Sequence, residues 1–290
     1  MKQLRNYLAI CFCLVLSIMV FAPSNAKASG ANGAEDFMAG ALPPPGFYYA
    51  NYLNYYTADK LKDSNGNKFT NPKISVVFDA NRFLYVTDYK ILGGNFAVHT
   101  LIPLANIKAE IFGRKTSNSG IGDIIITPAM LAWHSKNWHA VAALDVMLPT
   151  GQYKDTEPSI GANCFATEPA FAFTYMSDNG IEFSSKLMYD INFENDKTKV
   201  TKGNEFHVDS LLGFHLDKWK IGANTYFYKQ LTKDSGGTVP NTDKTQVFAV
   251  GPAIGYEYNH IHFAFKYQKE MQAKNKAEGD SLWFKVAVPF

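Results

Sequence analysis

From Gly46 onward, apolar and polar side chains alternate in segments of about ten or more residues, separated by turn residues or polar loops. In the clearest segment, 180–193, Ile181, Phe183 and Leu187 share one face, and mostly polar side chains share the other. Successive side chains of a β-strand point to opposite faces, so this period predicts strands. The predicted strands are 46–57, 73–90, 95–112, 121–134, 137–149, 167–176, 180–193, 204–216, 219–231, 245–258, 260–272 and 279–290.

Alternation alone fits both a soluble antiparallel sheet and a membrane barrel, but the connections distinguish them. Those after even-numbered strands are short. Those after odd-numbered strands are mostly longer and polar: 58–72, 113–120, 150–166, 194–203, 232–244 and 273–278. This layout predicts an all-β fold, a transmembrane antiparallel up-and-down β-barrel of about 12 strands over 46–290. Since twelve lies between the eight strands that side chains fill and the sixteen of wide porins, we expect a narrow lumen.

Aromatic residues next to the short turns favour a membrane boundary, because Trp and Tyr rings have one apolar and one wet end. These residues are Trp133, Trp138, Tyr175, Trp219 and Tyr256. Rings that cap the core of a soluble sandwich are the alternative.

The last predicted strand carries alternating apolar residues and ends at Phe290. It resembles the C-terminal insertion signal of bacterial outer-membrane proteins. The resemblance implies a location in the bacterial outer membrane, contact with its lipid, and the barrel-assembly machinery as a partner that binds the Phe290 strand.

The N-terminus has the layout of a secretory signal, with basic Lys2 and Arg5 before an apolar stretch and small residues after it. We predict a cleaved signal peptide over 1–28, with cleavage after Ala26 or Ala28; an uncleaved membrane anchor is the alternative. Cleavage leaves Cys164 alone, so no internal disulfide is expected. Residues 29–45 are either a periplasmic N-terminal segment or a short plug of the lumen.

The composition excludes several other classes of protein. The 28 basic and 26 acidic residues nearly balance, and 47% of residues are hydrophobic. That argues against a disordered chain and against a nucleic-acid binder. The seven histidines are scattered without a CxxC or HExxH motif, so no metal and no cofactor is predicted.

The polar face of the predicted strands supplies the candidate lining of a solute path. We expect these side chains to point into the lumen: Glu168, Glu182, Lys186, Asp190, Glu205, His207, Asp209, His262, Lys266, Glu270 and Lys285. They form either a polar path that steers a solute or a network of paired charges that braces the wall. The inward face of strand 245–258 is small, which leaves space in the lumen or marks a bend of the strand.

Three motifs resemble the family of outer-membrane proteins associated with the meta-pathway of phenol degradation. They are GIGD at 120–123 with Thr127-Pro128, LPTG at 148–151, and SIGAN at 159–163 with Glu168-Pro169. The resemblance implies an outer-membrane barrel linked to passage of small aromatic or other hydrophobic compounds.

Taken together, these features predict a passive channel or transporter for small, hydrophobic or aromatic solutes, with no enzymatic activity. The tyrosine-rich first strand fits aromatic solutes, although its rings could equally face lipid. A structural or adhesive surface protein is the main alternative. A membrane lipid hydrolase is a weaker one, since His134-Ser135 lies in a tight turn and neither His207 nor His262 has an obvious serine partner.

Overall fold

A computed structural model describes residues 32–154, 158–237 and 244–290; the predicted signal peptide lies outside the described residues. The described chain contains twelve long strands: β1 (Gly46–Lys62), β2 (Lys73–Ile91), β3 (Gly94–Ile111), β4 (Arg114–Ile121, continued by Ile125–His134), β5 (Trp138–Met147), β6 (Ala166–Met176), β7 (Ile181–Asn192), β8 (Glu205–Leu216), β9 (Trp219–Gln230), β10 (Gln246–Tyr258), β11 (Ile261–Lys274) and β12 (Ala277–Pro289). Three short strands, Lys68–Thr70, Val200–Thr201 and Ser235–Gly236, lie in the outer connections.

The sheet closes on itself. Each long strand pairs antiparallel with its neighbours in sequence, and β12 pairs with β1 from Pro289 opposite Tyr48 to Ala277 opposite Leu61. Closure leaves no open edge, which is the condition for a sheet to exist in hydrocarbon. The predicted antiparallel up-and-down barrel is confirmed. Within the described part of the chain, no helix has the length and apolar character needed to cross a membrane.

Two predicted outer loops are wrong. Residues 113–120 are not a loop, because Arg114–Ile121 pairs with the outer end of β3. This hairpin extends past the end of β5 and carries polar side chains on both faces, so it lacks the alternation that reveals a strand. Residues 273–278 are not a loop either, since β11 and β12 continue until only 275–276 separate them.

The two faces of the wall have opposite chemistry. Phe183 is 40% exposed and Phe265 is 47% exposed, whereas their sequence neighbours Glu182 and Lys266 are at most 1% exposed. On β7 and β11 the apolar face therefore points outward and the polar face inward, the reverse of a soluble protein. Among the predicted girdle rings, Trp138 packs on Tyr175 with ring centroids 4.8 Å apart.

The three family motifs meet at a break in β4, between Ile121 and Ile125. The buried Asp123 carboxylate accepts the Gly151 N–H at 2.9 Å and the Ala162 N–H at 2.6 Å. These two bonds fold the β5–β6 connection against the break and close the gap in the wall. Ile160, on the same connection, joins the apolar cluster of the barrel interior.

Candidate functional site

All eleven side chains predicted to line the lumen lie on the inner face of the wall, and each is buried or half-buried. Several of them are satisfied by neighbours within the barrel. The Glu270 carboxylate accepts the hydroxyls of Tyr56 and Tyr226 at 2.7 and 2.5 Å, and Glu182 lies 2.5 Å from His215 Nε2. These contacts match a bracing network at two positions, while a role of the whole set in solute passage stays a prediction.

Four inward carboxylates form a continuous row across neighbouring strands. Asp145 of β5 pairs with Glu168 of β6, and Asp190 of β7 pairs with Glu205 of β8. The register of β6 with β7 sets Glu168 beside Asp190, because Thr167 pairs with Ile191. The inner wall therefore has one acidic side, which the sequence pattern of any single strand does not reveal.

Residues 32–42 lie inside the barrel, where inward side chains bind their backbone. The Asp209 carboxylate accepts the N–H groups of Gly33 at 2.9 Å and of Glu35 at 3.1 Å. Three strands further round the wall, the Lys266 ammonium donates to the Gly33 carbonyl at 2.6 Å. Hydrogen bonds to charged partners are among the stronger ones, so this N-terminal segment is firmly attached to the lumen wall.

Two carboxylates of the N-terminal segment form ion pairs with lysines of the wall. Lys186 donates to Glu35 at 3.0 Å and Lys285 donates to Asp36 at 3.1 Å. Burial by itself would raise the pKa of Glu35, but the attraction of Lys186 and other cations outweighs it and lowers that pKa to about 2. At Asp36 burial is likewise outweighed, by Lys285 and His262, so the pKa lies below its usual value. Both carboxylates are therefore ionised at neutral pH.

Phe37 occupies the space that the small residues of β10 leave. Its ring packs in a cluster with Leu211 and Ala253. A Cβ added at Gly255 would lie 3.2 Å from this ring. The small face of β10 therefore makes room for the N-terminal segment.

A cavity of about 410 Å³ lies beside the N-terminal segment at the short-turn end of the barrel. Its apolar lining includes Leu84, Met130, Val141, Ala143 and Ala172, and its polar lining includes Lys220, Glu257, His260, His262 and Lys285. A second polar group, formed by Glu35, Arg82, His99, Asp145 and Lys186, lines both the cavity and a smaller void of about 60 Å³ on the way to the outer end. This polar group thus lies between the chamber and the rest of the lumen.

The polar group is internally connected. Arg82 Nε donates to His99 Nδ1 at 3.0 Å, and His99 Nε2 lies 3.6 Å from the Asp145 carboxylate. The predicted lumen lining omitted Arg82, His99 and Asp145, although Asp145 lies on the polar face of the predicted strand 137–149. The signal that could have found Arg82 and His99 is the inward period of β2 and β3.

The turn that holds His134 and Ser135 does not have the geometry of a hydrolase. Ser135 Oγ donates to the Trp138 carbonyl at 3.0 Å, and His134 Nδ1 faces His139 Nδ1 at 3.0 Å. Nucleophilic catalysis needs the serine within hydrogen-bond reach of a base, so these partners do not activate it.

Comparison with known proteins agrees with this architecture. The model of the MetA-pathway of phenol degradation family matches residues 58–286. An outer membrane channel from Pseudomonas putida F1 is similar in structure, with a TM-score of 0.79 and 14% identity over 88% of this chain and 99% of that one. The transport unit of the autotransporter AIDA-I from Escherichia coli has a TM-score of 0.53 and 8% identity over 95% of this chain and 96% of that one. No curated protein matched the chain.

Proposed function

The chain belongs to the MetA-pathway of phenol degradation family, and from this premise we propose that it is an outer-membrane channel for small aromatic solutes. Passage is passive and changes no covalent bond of the solute, so the proposal assigns no enzymatic activity. The printed name of the similar protein from Pseudomonas putida F1, an outer membrane channel, supports the location and the class.

The observation that carries the proposal is the chamber beside the N-terminal segment. Its volume of about 410 Å³ falls within the range of about 300–1,000 Å³ typical of small-molecule sites. Apolar side chains such as Met130 and Val141 suit the ring of an aromatic compound, and Arg82 and Lys186 suit a hydroxyl or carboxylate substituent. The chamber therefore favours an aromatic ring with one polar group over a purely polar solute such as a sugar.

The proposed path continues from the chamber through the polar group towards the outer mouth. Glu168 and Asp209 line the void on the far side of that group. A solute with a polar substituent exchanges water for these side chains as it passes, so it keeps its hydrogen bonds. The other inward residues predicted from the sequence brace the wall around this path.

Two adjacent alanines on β5 test the path. Ala143 lines the chamber, whereas Ala142 lies on the outward face of the same strand. We expect Ala143→Phe to fill part of the chamber and to lower the rate of 4-hydroxybenzoate entry several-fold. Ala142→Phe adds the same ring on the lipid side and should leave the rate unchanged. Liposome swelling with the full chain reconstituted measures both variants.

The control solute is glucose, which has no aromatic ring to pack against Met130 and Val141. An equal loss in both variants, or no loss in either, would contradict a route through the chamber. Wild-type liposomes that admit no aromatic solute at all would contradict the proposed function itself.

A further inference from the structure

Three side chains near the outer end of the lumen bring metal-binding atoms together. Asp190, Glu205 and His207 each offer one ligand atom, and these atoms all lie within 4.8 Å of one another. All three residues are at most 3% exposed. Glu205 is the first residue of β8, so the cluster lies just below the outer mouth, away from the proposed aromatic chamber.

The cluster contains a buried carboxylate oxygen that the described chain leaves without a hydrogen bond, Asp190 Oδ1. The carboxyl of Glu168 lies beside that of Asp190 on the neighbouring strand. A buried carboxylate oxygen without a partner is costly, and most buried polar atoms in folded proteins are satisfied. A cation between these groups would supply the missing partner.

The orientation of His207 also points to a cation. Its Nδ1 lies 2.6 Å from Asn32 Oδ1, an acceptor, so Nδ1 carries the proton and donates it. Its other nitrogen, Nε2, lies 3.0 Å from Asp190 Oδ2 and so faces the carboxylates of the cluster. Metal-bound histidines are usually held in this way, with the second ring nitrogen donating to an oxygen.

The distances suit a small ion with tetrahedral geometry. Ligands about 2.1 Å from such an ion are separated by about 3.4 Å. The His207 Nε2 distances to Asp190 Oδ2 and Glu205 Oε2, 3.0 and 3.9 Å, bracket this value. The other Glu205 oxygen, Oε1, accepts a hydrogen bond from the Tyr228 hydroxyl at 3.0 Å, which helps to fix the orientation of the carboxylate.

We propose that Asp190, Glu205 and His207 bind a divalent transition-metal ion, and that Zn²⁺ occupies the site. One imidazole and two carboxylates are ligands that Zn²⁺ accepts, whereas Mg²⁺ and Ca²⁺ prefer oxygen alone. No sequence motif shows the site because its ligands come from two paired strands. The bound ion orients His207 towards Asn32 and so attaches the start of the N-terminal segment to β8.

Zinc binding to the purified, tag-free full chain in detergent tests the proposal. Equilibrium dialysis against ZnCl₂ with a competing chelator gives stoichiometry and affinity. The matched control is His139→Gln, because His134 and His139 form an exposed pair that can also bind zinc. We expect one tight Zn²⁺ per chain in wild type and in His139→Gln, and none in His207→Gln or Asp190→Asn. Asn32→Ala should weaken binding by roughly 10-fold or more.

Heat-modifiable mobility on gels shows whether each variant retains the barrel. Should a ligand variant fail to fold, Asn32→Ala, which alters no ligand, decides the question through its affinity. Wild type that binds no Zn²⁺ would overturn the proposal, and the contact of His207 with Asp190 would then be a hydrogen bond alone. Tight binding that persists in His207→Gln, or that is lost only in His139→Gln, would overturn it as well. Each of these results leaves the proposed channel function untouched.

Discussion

Deletion of residues 32–42 is expected to raise the single-channel conductance several-fold. This segment occupies the centre of the barrel, where Asp209 and Lys266 bind its backbone and Phe37 fills the space against β10. Without it, ions meet a wider and more hydrated lumen. Planar bilayers containing single barrels measure the change directly, with wild type recorded under the same salt and voltage.

A single substitution shows whether the higher conductance comes from release of residues 32–42 or from damage to the wall. Asp209→Ala removes the acceptor of two backbone N–H groups of the segment. We expect transitions between the wild-type conductance and a larger one, as the segment detaches and rebinds. The control is Ser210→Ala, the next residue of β8, whose side chain lies on the other face. Unchanged conductance in the deletion variant would mean that another part of the chain, such as the β5–β6 connection, limits the lumen.

The closed wall could be predicted from the sequence because the alternation that produces it lies within each strand. Lipid on one side and water on the other impose alternation on every strand, and twelve such strands appear in order. The extension of β4 over Arg114–Ile121 could not be predicted in this way. Among the described residues this stretch pairs only with β3 and lies beyond the end of β5. It is therefore outside the part of the wall in which one face has to be apolar.

The interior was less predictable because its contacts are between distant parts of the chain. The N-terminal segment binds chiefly through backbone N–H and carbonyl groups, which every sequence has. The sequence alone therefore could not decide whether residues 29–45 form a plug of the lumen or a periplasmic segment. The acidic row from Asp145 to Glu205 likewise requires the register of four strands. Arg82 and His99 were missed because most of the other inward side chains of β2 and β3 are apolar, such as Leu84 and Ala97.

The second large effect is expected at the break in β4. Asp123→Ala removes the acceptor of two backbone N–H groups, those of Gly151 and Ala162. Hydrogen bonds to a charged partner contribute about 1.5–3 kcal/mol each, so we expect a loss on the order of 3 kcal/mol in the free energy of unfolding. Tryptophan fluorescence during urea unfolding in detergent measures it. Asp178→Ala is the control, because that carboxylate also has two partners, Lys136 and Asn137, but in an exposed turn; little change is expected there.

Substitution of a glycine in the same motifs should lower the free energy of unfolding, as Asp123→Ala does, but for a steric reason. A Cβ at Gly151 would lie 2.7 Å from the Gly122 carbonyl carbon and 2.8 Å from Gly161 Cα, both backbone atoms. Gly151→Ala therefore forces the β5–β6 connection away from the break, at a cost of about 1–3 kcal/mol. The double variant Asp123→Ala with Gly151→Ala should lose less than the sum of the two single losses, because either change alone detaches the same connection. Strict additivity would contradict this account of the motifs and would mean that the aspartate and the glycine act on separate parts of the wall.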